Sequence, residues 1–171
     1  DSSCRFLNSP QFTRNIPKDM FNDAPWLVPQ WVAHTQIMLD SFQLFVGREL
    51  IPRTGHPDED ARHVFQAPFV VVSHGTEEDP ILNYGNQTAL MLWEMDIPSF
   101  TSTPSRLTAE PIHRDERARL MSRAARDGFV DDYRGVRISS TGRRFLIEQA
   151  IIWNLVDKVG TRVGQAATFS D

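Results

Sequence analysis

Apolar positions recur at helical spacing between residues 29 and 50. Val32, Leu39, Phe42, Val46 and Leu50 form a stripe, and Trp31, Met38 and Phe45 widen it. Pro29 stands in the first turn, where its missing N–H is harmless, Gly47 loosens the end and Pro52 stops it. The spacing predicts a helix whose face can cover a sheet or pair with a second subunit. A β-branched run follows at 68–73, predicting a strand. His74-Gly75 turns it, the acidic Glu77, Glu78 and Asp79 with Pro80 fill the turn, and 81–84 form a second short strand. Asn86 is placed to cap a helix over 87–94, and Gly85 permits the sharp reversal before it.

Pro98 and Pro104 break the next segment into loop or single helical turns. Pro111 opens a helix to about residue 126, ended by Gly128, with Leu120, Met121, Ala124 and Ala125 as a modest inner face. Three strands close the chain. The first spans 129–138, and Ser139 to Gly142 form a hairpin turn. The second, 143–156, is apolar on both faces at Phe145, Leu146, Ile147, Ile151, Ile152 and Trp153 and is expected to be central. The third, 161–169, carries the small residues Gly164, Ala166 and Ala167. Residues 52–67 read as a loop with an acidic run, in which His56 and His63 are solvated. Residues 1–25 read as a proline-interrupted arm that packs on its own domain or on a partner. The order predicts an α+β domain over 26–171 with a five-stranded antiparallel sheet.

Composition narrows the class. The 171 residues suffice for one domain with a sizeable core, and the 40% hydrophobic content excludes a disordered chain. A net charge of −4 argues against general nucleic-acid binding. The charge is uneven: residues 101–150 carry ten Arg against seven acidic residues, and the remainder carries eight basic against fifteen acidic. That suits either protein docking or a solvated helix face beside a hairpin. The single cysteine, Cys4, allows no intrachain disulfide and points to an intracellular or organellar compartment, not a disulfide-stapled secreted domain. No apolar run approaches the ~20 residues of a membrane span. Asp1 in place of an initiator Met suggests a processed or trimmed chain, from which any targeting peptide has gone.

Catalytic signatures are missing. The chain holds no HExxH, P-loop or GxSxG motif, and its histidines lack metal-ligand spacing. Ser73 and His74 are strand neighbours, so their side chains point to opposite faces and make a poor nucleophile–base pair. The expectation is a protein that is not an enzyme and holds no metal.

Several ordered segments carry a resemblance. They are Ser73-His-Gly75, Asp79-Pro80, Tyr84-Gly-Asn86, Ala89 with Leu92-Trp-Glu94, Pro104-Ser-Arg106 and Ala109-Glu110. Further along stand Gly135-Val-Arg-Ile-Ser139, Gly142-Arg-Arg-Phe145, Trp153-Asn154 and Gly164-Gln-Ala-Ala167. Together, from about Trp31 to Phe169, the chain resembles the MEKHLA domain family, a PAS-like group. The family includes stand-alone bacterial, cyanobacterial and algal proteins. It also includes the C-terminal part of plant class III homeodomain–leucine zipper transcription factors, where a role in regulating dimerisation is ascribed to it. No leucine zipper or DNA-binding helix is seen here, so the transcription-factor role does not carry over. The resemblance implies a PAS-like five-stranded sheet with short helices on one face and a flanking N-terminal helix. It implies a sensory or protein-interaction module acting through dimer or partner contacts. Two alternatives stand beside it. One is an accessory subunit of a larger assembly, for instance a chloroplast complex, docked by the arm. The other is a small-molecule sensor using the PAS cavity.

PAS domains hold ligands between the inner sheet face and the short helices. The resemblance implies a cavity lined by Val71, Tyr84, Leu90, Trp93, Phe100, Met121, Ile138, Phe145, Ile147 and Trp153, a set that equally describes a filled core. Arg106 either pairs with a ligand carboxylate or phosphate or clamps Glu110 or Glu94. Phe6, Phe12, Phe21, Trp31, Met38, Phe42 and Phe45 are the candidate interaction residues. Haem-binding PAS proteins use a His on the long helix, and His113 lies near the start of the corresponding helix, a departure in position. Ser3-Cys-Arg-Phe-Leu7 matches part of the motif of light-sensing LOV domains, but it precedes the domain and no cysteine follows the first two strands. A flavin–cysteinyl adduct is therefore not expected, and no cofactor is predicted beyond a small-molecule ligand.

Overall fold

The computed structural model describes residues 24–109 and 111–170, the side chains of 111–114 and 117 excepted. After a 3-10 turn at Pro25–Leu27 come helix α1 (Pro29–Val46) and helix α2 (Pro57–Phe65). Strands β1 (Val70–His74) and β2 (Leu82–Gly85) lead into the short helices α3 (Gln87–Trp93) and α4 (Ile97–Phe100). A 3-10 turn at Ser105–Thr108 precedes the long helix α5 (Pro111–Asp127). Strands β3 (Phe129–Ile138), β4 (Arg144–Val156) and β5 (Arg162–Phe169) complete an antiparallel sheet in the order β2-β1-β5-β4-β3.

Each face of the sheet has its own core. On the outer face, α1 lays Met38, Leu39 and Phe42, all fully buried, against Val71, Tyr84, Trp153 and Leu155. Phe42 meets Trp153 edge-on at 4.9 Å between ring centroids, and the Trp153 indole Nε1 donates to the Met38 carbonyl at 3.2 Å. On the inner face, α3, α4 and α5 cover Val70, Val130, Tyr133, Ile147, Ile152 and Phe169. Apolar burial on both sides is the main stabilising term, at roughly 1.5–3 kcal/mol for each large side chain taken fully out of water.

Three expectations are corrected. Residues 57–65, read as loop, form α2. Pro57 sits at the helix start, and Asp58, Glu59 and Asp60 occupy the first turn, where carboxylates favour the helix dipole. Val64 and Phe65 are fully buried and hold the helix down. Asp60 is buried too, and accepts from the Thr54 backbone N–H at 3.0 Å and from Gln36 of α1 at 3.3 Å. Burial pushes its carboxyl pKa up, but hydrogen bonds from Thr54 and Gln36 and the charge of Arg53 outweigh that and hold it below the usual range. His56 and His63 are exposed, at the start and in the last turn of α2. Helix α1 ends at Val46, earlier than residue 50, because Gly47 takes a left-handed φ of 85° and caps it. The middle strand is β5, not β4. Strand β4 is apolar on both faces because α1 and the inner helices sandwich it, a property any interior strand of this sheet shares.

Candidate functional site

The inner core is not completely filled. A cavity of about 70 Å³ lies between the sheet and the helices above it. Val72 and Phe169 contribute from the sheet, Trp93 and Phe100 from α3 and α4, Ser105 and Thr108 from the second 3-10 turn, and Met121 from α5. Its polar side chains include His74, Tyr133, Arg137 and Gln165. Gln165 Nε2 donates to the Met121 carbonyl at 3.1 Å and to Asn154 Oδ1 at 3.3 Å, tying the sheet to α5. His74 Nδ1 lies 2.8 Å from the Gly75 carbonyl and donates to it.

The local sequence explains how these elements close over the sheet. Asn86 is fully buried, caps α3 by accepting from Ala89 N–H at 3.1 Å, and accepts from Val71 N–H at 3.1 Å. Its amide donates to the carbonyls of Phe69 and Val64 at 2.8 and 3.1 Å. At the far end of α3, Glu94 adopts a left-handed φ of 59°. Its carboxylate accepts from Ser139 Oγ at 2.8 Å and from Thr141 Oγ1, while Ser140 Oγ donates to its carbonyl at 2.8 Å. The β3–β4 hairpin turn is thereby latched onto α3. The loop after α4 is pinned along β2, with Leu82 N–H donating to Thr103 at 3.0 Å and Ser105 N–H to Pro80 at 2.8 Å.

Of the residues the sequence nominated for the cavity, Trp93, Phe100, Met121 and Ile147 line it. Leu90 and Phe145 pack in the same core without lining the space, Phe145 meeting Trp93 edge-on at 5.2 Å. Ile138, at the end of β3, is half-buried and also off the lining. Val71, Tyr84 and Trp153 lie on the opposite face, against α1. For Val71 strand alternation is reason enough, since Val70 faces the inner core. For Trp153 the reason is a bulge. Gln149 takes φ 52°, which resets the alternation, so Ile147, Ala150 and Ile152 point inward and Ile151, Trp153 and Leu155 outward.

Arg106 is not in the cavity. It pairs through Nε with both carboxylate oxygens of Asp79, at 3.2 and 3.1 Å, with both side chains about half exposed. Glu94, the alternative partner, holds the hairpin instead, and Glu110 lies outside the described residues. The interaction set divides as well. Met38 and Phe42 are core, Trp31 is half-buried with its ring 4.7 Å from that of Tyr84, and half-buried Phe45 packs beside Gly128. Phe6, Phe12, Phe21 and Cys4 lie outside the described residues, as does the side chain of His113.

Sequence reasoning missed two features. Arg137 is buried on the inner face, and nothing in the local pattern marks it, because the alternation of β3 is broken between Val130 and Tyr133. The second feature is a polar chain beneath α1. Ser73 Oγ donates to Asn83 Oδ1 at 2.6 Å, so His34 Nε2–H donates to Ser73 Oγ at 2.7 Å. Burial lowers the His34 pKa from 6.5 to about 4, keeping the imidazole neutral. The neighbouring Tyr84 hydroxyl is buried without a hydrogen-bond partner, and burial drives its pKa upward. Ser73 is itself buried and hydrogen-bonded on both sides, and His74 faces the other core. Among the described residues no three His, Cys, Asp or Glu side chains cluster as a metal site, and no helix is long and apolar enough to cross a membrane.

A five-stranded antiparallel sheet with short helices and a cavity on one face, and a flanking helix on the other, defines a PAS-like α+β domain. The MEKHLA domain model matches residues 32–171, and the chain belongs to that family. Among solved structures it is similar to a PAS domain from Colwellia psychrerythraea, at 12% identity and a TM-score of 0.59, over 66% of this chain and 93% of that one. It is also similar to a cysteine-to-serine mutant of Vivid, at 12% identity and a TM-score of 0.54, over 79% and 99% of the two chains. The light-state dimer of the fungal blue-light photoreceptor Vivid is similar at 12% identity and a TM-score of 0.53, over 78% and 93%. At these identities the likeness is one of fold. No curated protein matches the chain.

Proposed function

We propose that this MEKHLA domain is a non-enzymatic sensory module whose input is a small molecule in the inner-face cavity and whose output is a change in protein contacts. The observation that carries this reading is the cavity itself, a partly open space lined in part by polar residues within an otherwise close-packed core. The absence of a freely disposed nucleophile–base pair in the Ser73 chain supports the non-enzymatic part. The fold's likeness to a light-oxygen-voltage domain studied with a flavin analogue raises flavin as an occupant. The residues do not fit it: about 70 Å³ is far below the roughly 300–1,000 Å³ of pockets that hold drug-sized ligands, and none of the described lining residues is a cysteine. The test is native mass spectrometry of the purified chain. A retained small-molecule mass that is lost on denaturation is expected, and a bare chain from several preparations overturns the ligand input.

A second reading, an interaction module acting through self-association, has its own observation. Leu27 and Val28 just before α1, Leu44 on α1 and Val159 in the β4–β5 turn are 46%, 48%, 63% and 84% exposed. Leu27, Leu44 and Val159 border a groove of about 830 Å³. Its occupant in this reading is a second copy of the chain, as in the dimer described for Vivid. The exposed positions replace Met38 and Phe42, which are already committed to the core. Leu44→Ser with Val159→Ser should convert a dimer to a monomer by light scattering. A mass that these changes leave untouched rejects that route.

A further inference from the structure

We infer that the inner-face cavity takes a small carboxylate, bound by the Arg137 guanidinium of β3. The inference rests on the ligand-sensor reading and names the ligand's class. Arg137 is only 6% exposed and lines the cavity. Its guanidinium lies 4.9 Å over the Tyr133 ring, which supports it from one side. That stacking is possible because Gly135 lies between the two along the strand: a Cβ there would sit 2.3 Å from the Tyr133 hydroxyl. Nη1 donates to the Val136 carbonyl at 3.0 Å.

What is missing is an anion. Among the described residues Arg137 forms no ion pair, and Glu116 of α5 acts on it through charge without reaching ion-pair distance. No acidic side chain among the described residues lines the cavity. Burial pulls the Arg137 pKa down, yet a guanidinium stays charged at neutral pH. Among the described residues the Tyr133 hydroxyl, the Val136 carbonyl and the more distant charge of Glu116 are what offset this buried cation, and a buried cation without a paired carboxylate is costly for a core. A second donor points the same way: Trp93 also lines the space, and its indole Nε1–H is buried with no hydrogen-bond partner among the described residues. A cationic and a neutral donor thus border one cavity with unused capacity.

The remaining lining sets size and shape. Phe100, Met121 and Ile147 are apolar, so the rest of the ligand is a short hydrocarbon tail. A cavity of about 70 Å³ has room for several waters, at roughly 10–15 Å³ each, and hence for a ligand of a few heavy atoms. A planar carboxylate matches the fork of a guanidinium, whereas a phosphate brings three or more oxygens to walls that are mostly apolar.

The experiment is an NMR titration of the ¹⁵N-labelled chain, reading the Trp93 indole and Arg137 Nε–H signals. The probes are butyrate, benzoate, inorganic phosphate, and butyramide as the neutral match for butyrate. Saturable shifts with butyrate or benzoate are expected, with binding at least tenfold weaker for butyramide and for the Arg137→Gln variant. Because Arg137→Gln removes a buried group and is liable to misfold, the butyrate–butyramide ratio on the unaltered chain decides. Equal binding of acid and amide overturns the anion assignment and leaves the cavity a ligand site. Phosphate binding as tight as butyrate overturns the carboxylate assignment. No response to any probe overturns the inference. A non-anionic compound found by native mass spectrometry would then keep the sensory reading, and a bare chain would end that too.

Discussion

Asn86 Nδ2 donates to the Phe69 carbonyl at 2.8 Å, joining the N-cap of α3 to the segment that enters β1. With its three further bonds, to Val64, Val71 and Ala89, this one amide organises the entry of β1, the end of α2 and the start of α3. Asn86→Asp keeps the two acceptor bonds and turns the two donated ones into repulsion between a carboxylate and two carbonyls. It should cost more than Asn86→Ala would from cap loss alone, which is about 1 kcal/mol. Urea unfolding of both variants checks this. An Asp variant as stable as wild type would show that the two donated bonds contribute nothing.

Glu94 combines a strained backbone with a latch. Its φ of 59° favours glycine, while its carboxylate holds Ser139 and Thr141 of the hairpin turn. Glu94→Ala loses the latch and keeps the strain; Glu94→Gly loses the latch and relieves the strain. Both should lower Tm, with the glycine variant the more stable of the two by roughly 1 kcal/mol. Faster hydrogen exchange confined to the β3–β4 turn and the end of α3 should accompany the loss. A glycine variant more stable than wild type would mean that the latch is worth less than the strain.

His34 makes stability depend on pH. Its folded pKa of about 4 lies below the ordinary 6.5, so between those values the unfolded chain binds more protons here than the folded one. The stabilising contribution is complete above about pH 6.5 and is lost as pH falls toward 4. At about 1.4 kcal/mol per unit the ceiling is about 3 kcal/mol, reduced by the ring's partial access to water. His34→Gln removes the titration while leaving a donor for Ser73. Denaturant midpoints at pH 7.5 and pH 5 should therefore differ less in the variant than in wild type. An unchanged difference assigns the acid sensitivity to other groups.

The sequence made the succession of strands and most helices legible because each is short, periodic and bounded by Gly, Pro or a cap. Asn86 was read correctly as the cap of α3, since that role is local. Helix α2 was hidden because Pro57 and three acidic residues look like loop until Val64 and Phe65 are seen to be buried. Seven of the eleven expected cavity residues are misplaced or peripheral, and for Trp153 the cause is not propensity but parity. Ile147 and Trp153 are an even number of residues apart, yet the bulge at Gln149 puts them on opposite faces. A positive φ at a non-glycine residue has no local sequence mark. The break in β3 hid Arg137 in the same way, among other arginines that proved exposed.

Gly164 is where the sheet leaves no room. It pairs with Leu155 across β4, and a Cβ built on it would stand 2.3 Å from the His74 carbonyl oxygen of β1. The obstacle is backbone, so no rotamer can relieve it, and either β1 or β5 must shift. Overpacking of this kind costs roughly 1–3 kcal/mol, and a displaced strand pair at the centre of the sheet puts Gly164→Ala at the upper end. The shift would also move His74 and Gln165, which line the cavity, so the variant should perturb the Trp93 indole signal as well as stability. Gly142→Ala is the control. That position is a turn at φ 85° with nothing within 4 Å of an added Cβ, so it carries backbone strain without a clash. Thermal melts of the two should separate clearly, and only Gly164→Ala should disturb the cavity. If the two lose the same stability and leave Trp93 alone, the close approach of β5 to β1 is not what demands a glycine at 164.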